Sequence, residues 1–228
     1  MSVWALEVRD LQLAYGDRVV LEGVSLQLSK GQLVYLTGRT GSGKTSLLRA
    51  IYGDLKPQRG EIWVGGQRVE TLSPKELPFL RRRLGIVFQD FQLLPYRTVF
   101  ENVAFALEVT GWRDRRKIKE RVLDTLLRVG LMARKDAYPH ELSGGEQQRT
   151  CIARALVGAP IVILADEPTG NLDPEVGREI LGLFHQIARW GTAVLLATHN
   201  ENHLREMPAP TYLCQHGRLV ASGGLAYS

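Results

Sequence analysis

The stretch Gly38-Arg39-Thr40-Gly41-Ser42-Gly43-Lys44-Thr45 constrains this chain more than any other. It fits G-x-x-x-x-G-K-[ST], in which small residues let consecutive backbone N–H groups curl around phosphate oxygens. It lies between a continuous apolar run, Leu33-Val34-Tyr35-Leu36-Thr37, and a stretch of helical composition from Lys44 to Tyr52 that stops at Gly53. Strand, glycine loop and helix in that order place the positive end of a helix behind the loop. Lys44 can then reach β- and γ-phosphates, and the Thr45 hydroxyl can ligate a magnesium ion that bridges them. An ordinary glycine turn is the plainer alternative, but a chance match in a chain of 228 residues is about one in a hundred.

Two further stretches carry chemistry. Ile161-Val162-Ile163-Leu164-Ala165 is a buried-strand pattern that delivers Asp166 and Glu167 to the strand end, where open α/β sheets bind ligands. Asp166 would hold the metal through water, and Glu167 would polarise an attacking water as general base. The dipeptide alone is more commonly a solvated loop; the apolar strand before it favours the functional reading. Leu142-Ser143-Gly144-Gly145-Glu146-Gln147-Gln148-Arg149 opens a helix, with Ser143 and Glu146 in a capping-box pattern. Two adjacent glycines in a first turn cost about 1 kcal/mol each relative to alanine. Close approach of a second phosphate to the backbone is the natural reason to keep them.

Around these motifs the chain alternates. Residues 6–28 read as short antiparallel strands, Glu61 to Val69 as another strand, and Ser73-Pro74 as the opening of a short helix ending at Arg81-Arg82-Arg83. Leu84 to Phe88 is the next strand. Helical patterns then occupy residues 89–157, starting with the capping box Thr98-Val99-Phe100-Glu101, before strand and helix alternation resumes after Pro160. The fold class is α/β: a mostly parallel P-loop NTPase core with an N-terminal antiparallel β subdomain and a helical insertion subdomain.

Composition excludes more than it selects. The 44% apolar share supports a packed core and argues against disorder. The longest apolar runs, about six residues as in 159–165, fall far short of the 18 or more needed to cross a bilayer. The start, Met1-Ser2-Val3-Trp4, lacks a leader pattern, so the chain is expected in the cytosol. A net charge of +5 permits an anionic partner without choosing one. Cys151 and Cys214 have no metal-ligand spacing and read as reduced, buried thiols.

These motifs together resemble the ATP-binding subunits of ABC transporters, with a likeness that runs from Tyr15 to about Gly224 and is most specific at the LSGGE segment. The resemblance implies a single ATP-binding domain, 1–228, with residues 1–88 and 158–228 forming a RecA-like core and β subdomain and 89–157 the helical subdomain. It implies that Tyr15 stacks on adenine while Gly38, Arg39, Thr40, Gly41, Ser42, Gly43, Lys44, Thr45 and Ser46 wrap the triphosphate. Gln89 would sense Mg²⁺ and the water, Thr45 and Asp166 would hold the metal, Glu167 would be the base, and His199 would contact the γ-phosphate. It also implies a head-to-tail ATP-sandwich homodimer, in which Ser143, Gly144, Gly145 and Glu146 of one chain close over the other's ATP and Asp173 touches the facing subunit. Asn200 departs from the acidic residue usual after the histidine.

Within the family, Phe88-Gln89-Asp90, Arg97-Thr98-Val99, Glu101-Asn102-Val103 and Ala165 to Asp173 look like the group serving lipoprotein release, macrolide export or cell division, with cell-division ATPases the best match. That implies an integral membrane, permease-like partner, gripped near the Gln89 loop and residues 98–109, and a peripheral position on the cytoplasmic side of the inner or plasma membrane. A nucleic-acid-associated ABC ATPase is the reading from another class; the chain has neither the long coiled coil nor the second nucleotide domain of such relatives. A P-loop kinase leaves LSGGE without a role. The basic run Arg113 to Arg121 reads more plainly as a solvated face than as a lipid-headgroup contact.

Overall fold

The computed structural model describes residues 4–222; Met1 to Val3 and residues from Gly223 on, including the end of the resemblance near Gly224, lie outside them. The chain opens on two long antiparallel strands, β1 (Trp4–Tyr15) and β2 (Arg18–Ser29). Alternation had suggested shorter strands; register shifts between Val8 and Leu11 and around Leu13 reset the apolar phase without ending the pair. Next, β3 (Leu33–Thr37) leads through the glycine loop into α1 (Lys44–Ile51). The expected strand from Glu61 to Val69 is a hairpin instead, β4 (Arg59–Val64) and β5 (Gln67–Arg68), because Gly65-Gly66 make a two-residue turn. The first sheet runs β2-β1-β4-β5.

Helix α2 (Leu77–Arg81) starts later than Ser73-Pro74 suggested. The Ser73 N–H and hydroxyl both donate to the Glu76 carboxylate, at 2.8 and 2.7 Å, closing a turn before the helix, and Pro78 occupies its first turn. After β6 (Leu84–Val87) come α3 (Val99–Val109), α4 (Arg115–Arg128) and α5 (Gly144–Leu156), then β7 (Val162–Asp166), α6 (Pro174–Arg189) and β8 (Ala193–Thr198). The chain closes with α7 (Glu201–Glu206), β9 (Thr211–Gln215) and β10 (Arg218–Ser222).

The second sheet has the order β10-β9-β3-β8-β7-β6, parallel from β9 to β6 with β10 antiparallel. The carboxyl ends of β3, β8, β7 and β6 therefore stand side by side along one edge, where the crevice of an open α/β sheet forms. This sheet also divides the interior. Val34, Leu36, Leu164 and Leu195 pack with β1, β2, β4 and α1 on one face; Tyr35, Ile163, Val194 and Leu196 pack with the helices on the other, as a period of two requires. The helices inserted between β6 and β7 share that second core: Val103, Leu107, Val122 and Ile152 belong to the same cluster as the sheet face.

The path from β6 to α3 depends on Asn102. Its side chain is fully buried, accepts from the Leu94 N–H at 2.8 Å and donates to the carbonyls of Leu94, Arg97 and Thr98 at 3.1, 2.9 and 3.0 Å. Asn102→Leu keeps the volume and strands these backbone groups, so unfolding in urea should show a loss of about 2–3 kcal/mol. A loss under about 0.5 kcal/mol would mean the loop is held by something else.

Candidate active site

The glycine loop is already curled. A Cβ on Gly38, at φ +141°, would lie 2.3 Å from the Cys214 carbonyl oxygen, so a side chain there would push the loop off β9. Lys44, only 6% exposed, turns its ammonium back on the loop, donating to the carbonyls of Gly38 (2.8 Å) and Arg39 (3.2 Å). The Cys214 thiol donates to the Ser42 carbonyl at 2.9 Å, and burial pushes its pKa up, keeping it an inert thiol. The Ser42 hydroxyl is buried without a hydrogen-bond partner. Such an orphan is costly in a finished core and ordinary in a site completed by a ligand oxygen.

Asp166 and Glu167 stand at the end of β7, one strand away from His199 at the end of β8. Glu167 takes a left-handed backbone, φ +46°, uncommon for a side chain of its size and typical of strained functional positions. Its N–H donates to Ala197 O at 2.9 Å. Its carboxylate, 12% exposed, lies 2.8 Å from His199 Nδ1 and 3.6 Å from Lys44 Nζ, and accepts from the His199 N–H at 3.2 Å. Asp166 lies beside the Thr45 hydroxyl. Burial raises its pKa above the ordinary carboxylate value and the Glu167 charge adds to this, with Thr45 and Lys44 acting in the opposite sense.

Thr45 and Asp166 offer one hydroxyl and one carboxylate, hard oxygen donors of the kind Mg²⁺ takes while keeping water and phosphate ligands. Among the described residues no group of three or more His, Cys, Asp or Glu side chains could hold a metal by itself. The donor set and the orphaned Ser42 hydroxyl thus fit a metal that arrives with a polyphosphate.

Tyr15 is partly exposed; its hydroxyl is 3.3 Å from Ser46 Oγ and accepts from Arg49 Nη1 at 3.3 Å, while Arg49 Nε is 2.8 Å from Asp54. Tyr15, Arg18 and Val20 face Gly41, Lys44, Thr45 and Ser46 across a cavity of about 410 Å³. A larger cavity, about 1060 Å³, opens on the other side of the loop between Arg39, Thr40, His199 and β9. Arg18 and Arg49 were not singled out from the sequence, although Arg18 pairs across the β1–β2 hairpin with Tyr15.

The remaining candidates lie outside this cluster. Gln89 follows β6 with its Nε2 3.3 Å from where a Gly170 Cβ would sit, and its carbonyl accepts from Asn171 Nδ2 at 3.3 Å. Its segment is pinned by residues the sequence did not reveal: Cys151 and Arg154 donate to Phe91 O at 2.9 and 3.0 Å, and Arg154 also to Gln92 O at 2.6 Å. Ser143 and Glu146 form a complete capping box, with Arg134 at 3.1 Å from Glu146; the Ser143 backbone bond leads in lowering the Glu146 pKa. A Cβ on Gly145 would come 2.7 Å from Val176, so α5's contact with α6 is itself a reason for that glycine. Asp173 caps α6 by backbone position, but its exposed side chain makes no capping bond. No hydrogen bond or ion pair joins residues 143–146 to the glycine loop among the described residues.

A family model described as ABC transporter matches residues 21–170. The cell division ATP-binding protein FtsE of Streptococcus pneumoniae serotype 2 is 43% identical over 216 residues, 94% of each chain. FtsE of Escherichia coli K12 is 46% identical over 187 residues, 82% of this chain and 84% of the relative. Among solved structures, the ATP-binding cassette MJ0796, a dimer in a post-hydrolysis state bound to ADP and Pi, superposes with a TM-score of 0.84 at 31% identity, over 97% of this chain and all of that one.

Because its pKa is raised, charged Asp166 is disfavoured in the nucleotide-free fold. This penalty is full above the raised value and vanishes as pH falls toward the ordinary value of about 3.9. Asp166→Asn should therefore raise the melting temperature at pH 7.5 without nucleotide, with a gain that shrinks toward pH 4, while weakening Mg-dependent ATP binding at least about tenfold. A lower melting temperature at pH 7.5 would contradict the burial argument.

Proposed function

The chain belongs to the ABC transporter family, and on that premise we propose that it is the ATPase subunit of a membrane complex acting in cell division, a counterpart of the FtsE relatives. As a family member it binds nucleotide and hydrolyses ATP. One observation carries the chemistry: the Glu167 carboxylate at the end of β7 bridges His199 and Lys44. Likeness to FtsE over 94% of both chains supports the cellular role.

In our reading this bridge is the idle state. ATP entering the loop draws the Lys44 ammonium from the Gly38 and Arg39 carbonyls onto the β- and γ-phosphates, and the Ser42 hydroxyl gains the acceptor it lacks. His199 turns to the γ-phosphate, which leaves Glu167 a free acceptor beside both. Thr45 and Asp166 would hold Mg²⁺, which would supply neutralisation of charge on the phosphate oxygens. Glu167 takes a proton from water as its oxygen attacks the γ-phosphorus and the bond to the β-phosphate oxygen breaks, yielding ADP and phosphate. Tyr15 supports adenine, and Gln89 responds to metal and water from its loop.

A head-to-tail homodimer completes the site, with Ser143, Gly144, Gly145 and Glu146 of the facing chain on the γ-phosphate and Asp173 reaching across. The dimeric MJ0796 structure supports this. No helix of the described residues is long and apolar enough to cross a membrane. Likeness to the FtsE relatives supports a peripheral position on the cytoplasmic side, held through a membrane partner for which we propose FtsX. A groove of about 370 Å³ between α2, β6, α3 and α5, lined by Pro78, Arg81, Ile86, Ala106, Val109 and Arg154, suits a short helix of such a partner.

Glu167→Gln should still bind ATP, accumulate as an ATP-dependent dimer on size exclusion, and hydrolyse roughly 10²–10⁴-fold more slowly. Hydrolysis at the wild-type rate would remove Glu167 as the base. The same variant used as bait in solubilised membranes with ATP and magnesium should recover a four-span protein with one large extracytoplasmic domain. Recovery of a lipoprotein-releasing or exporter permease would leave the ATPase chemistry standing and move the cellular role to transport.

A further inference from the structure

Residues 111–117, between α3 and the first turn of α4, are all exposed, and Trp112 among them is 39% exposed. Arg113, Arg115, Arg116, Lys117 and Lys119 make no ion pair among the described residues. Two acids lie among these five cations and leave a net positive patch: the Asp114 carboxylate caps α4 by accepting from the N–H groups of Arg116 and Lys117, and Glu120 makes no ion pair among the described residues. Arg115, Arg116 and Lys117 fill the first turn of a helix with no acid in it. That is the positive end of the helix dipole, where cations destabilise. Helix stability alone does not favour cations at these positions.

The patch is continuous with the groove. Val109 and Thr110, the last residues before it, line the groove, and Arg121 of α4 donates to Val157 O at 2.8 Å, next to Gly158 on the groove's rim. Other large exposed apolar side chains gather on the same elements: Phe79 on α2, Val109 on α3, and Tyr96, 92% exposed, beside Arg97, whose guanidinium lies 4.6 Å from the Phe105 ring of α3. Trp112 among unpaired cations, with further aromatic rings on neighbouring elements, matches the composition of a surface at a membrane–water boundary.

We propose that Trp112 with Arg113, Arg115, Arg116, Lys117 and Lys119 forms a contact surface for anionic lipid headgroups, lying against the bilayer beside the groove. The orientation rests on the reading of that groove as the membrane partner's dock. An acidic protein segment is a weaker fit, because none of these cations lines the neighbouring groove that could hold a peptide, and that groove is already assigned. Each cation near an anionic surface contributes about fivefold in partitioning, so the patch adds a salt-sensitive foothold to whatever grip the partner supplies.

The test is flotation of the full chain with phosphatidylcholine vesicles and with 60:40 phosphatidylcholine/phosphatidylglycerol vesicles at 50 and 500 mM NaCl. The expected result is binding to the anionic vesicles alone, lost at high salt and reduced at least tenfold in R113Q/R115Q/R116Q/K119Q. A control of equal charge loss elsewhere, K30Q/K56Q/K75Q/R218Q, should bind like the wild type; the ATPase rate should be unchanged in both variants, and the patch variant should melt no lower than the wild type, since it removes cations from the first turn of α4. Tryptophan emission should shift to the blue with anionic vesicles and lose that shift in Trp112→Phe. Ala106→Trp, which fills the groove without changing charge, should lose the membrane partner and keep the vesicles; if it keeps the partner, the groove reading fails while the lipid result stands. No anionic preference in the wild type, or equal losses in patch and control variants, would overturn the proposal. So would a patch variant that loses the partner while holding vesicles, which would make the surface a protein contact.

Discussion

The buried ammonium of Lys44 organises this molecule. An ion at 6% exposure must be paired or solvated by dipoles, since leaving it bare in the interior costs several kcal/mol. Here the Gly38 and Arg39 carbonyls supply the dipoles and Glu167 the opposite charge. The first pair requires the loop to curl, and Glu167 requires the end of β7 to stand near the end of β3. The sheet order β3-β8-β7 meets that requirement with one strand between them, and that strand ends at His199, the third member of the cluster. The strained backbone of Glu167 is a cost of about 1–3 kcal/mol borne to aim its carboxylate at both Lys44 and His199.

Much of this was legible in the sequence because it is local. A glycine loop between strand and helix, a carboxylate pair after an apolar strand, and the capping boxes at Thr98 and Ser143 are each written in a few consecutive residues, and the backbone follows them. Local signals failed where a side chain chose a different local partner. Ser73 looked like a helix opening, but Glu76 took both its donors and made a turn. Gly65-Gly66 looked tolerable within a strand and turned it into a hairpin.

What sequence could not show is long-range. Asn102 sits in an apolar helix and reads there as a misfit; only the fold reveals that it fastens Leu94, Arg97 and Thr98. Arg154 and Cys151 reach a segment some 60 residues upstream. The Cys151 thiol, its pKa pushed to about 12 by burial, is a structural donor and no nucleophile. Gly145 has a second reason that sequence did not show: its lack of a side chain suggested a ligand, and within the chain it also admits Val176. The packing reason does not compete with the proposed ligand contact, because a helix terminus seated closely on its neighbour presents its N–H groups in a fixed direction.

The segment after β6 ties these parts together. At one end Gln89 abuts Gly170 and Asn171, in the loop that follows β7. Further on, its carbonyls at Phe91 and Gln92 are held by Cys151 and Arg154 of α5. That helix carries the Ser143 cap at its first residue and lines the groove through Arg154 and Ala155 near its last. A shift of Gln89 therefore has to be absorbed either by breaking charge-assisted bonds from Arg154 or by moving α5 as a body. Rigid helices in a close-packed core favour the second, since each bond to an ion is worth about 1.5–3 kcal/mol and a small tilt forfeits little packing. By this argument, a displacement of Gln89 reaches the groove through one helix, the helix whose first turn we propose to meet the facing chain's nucleotide.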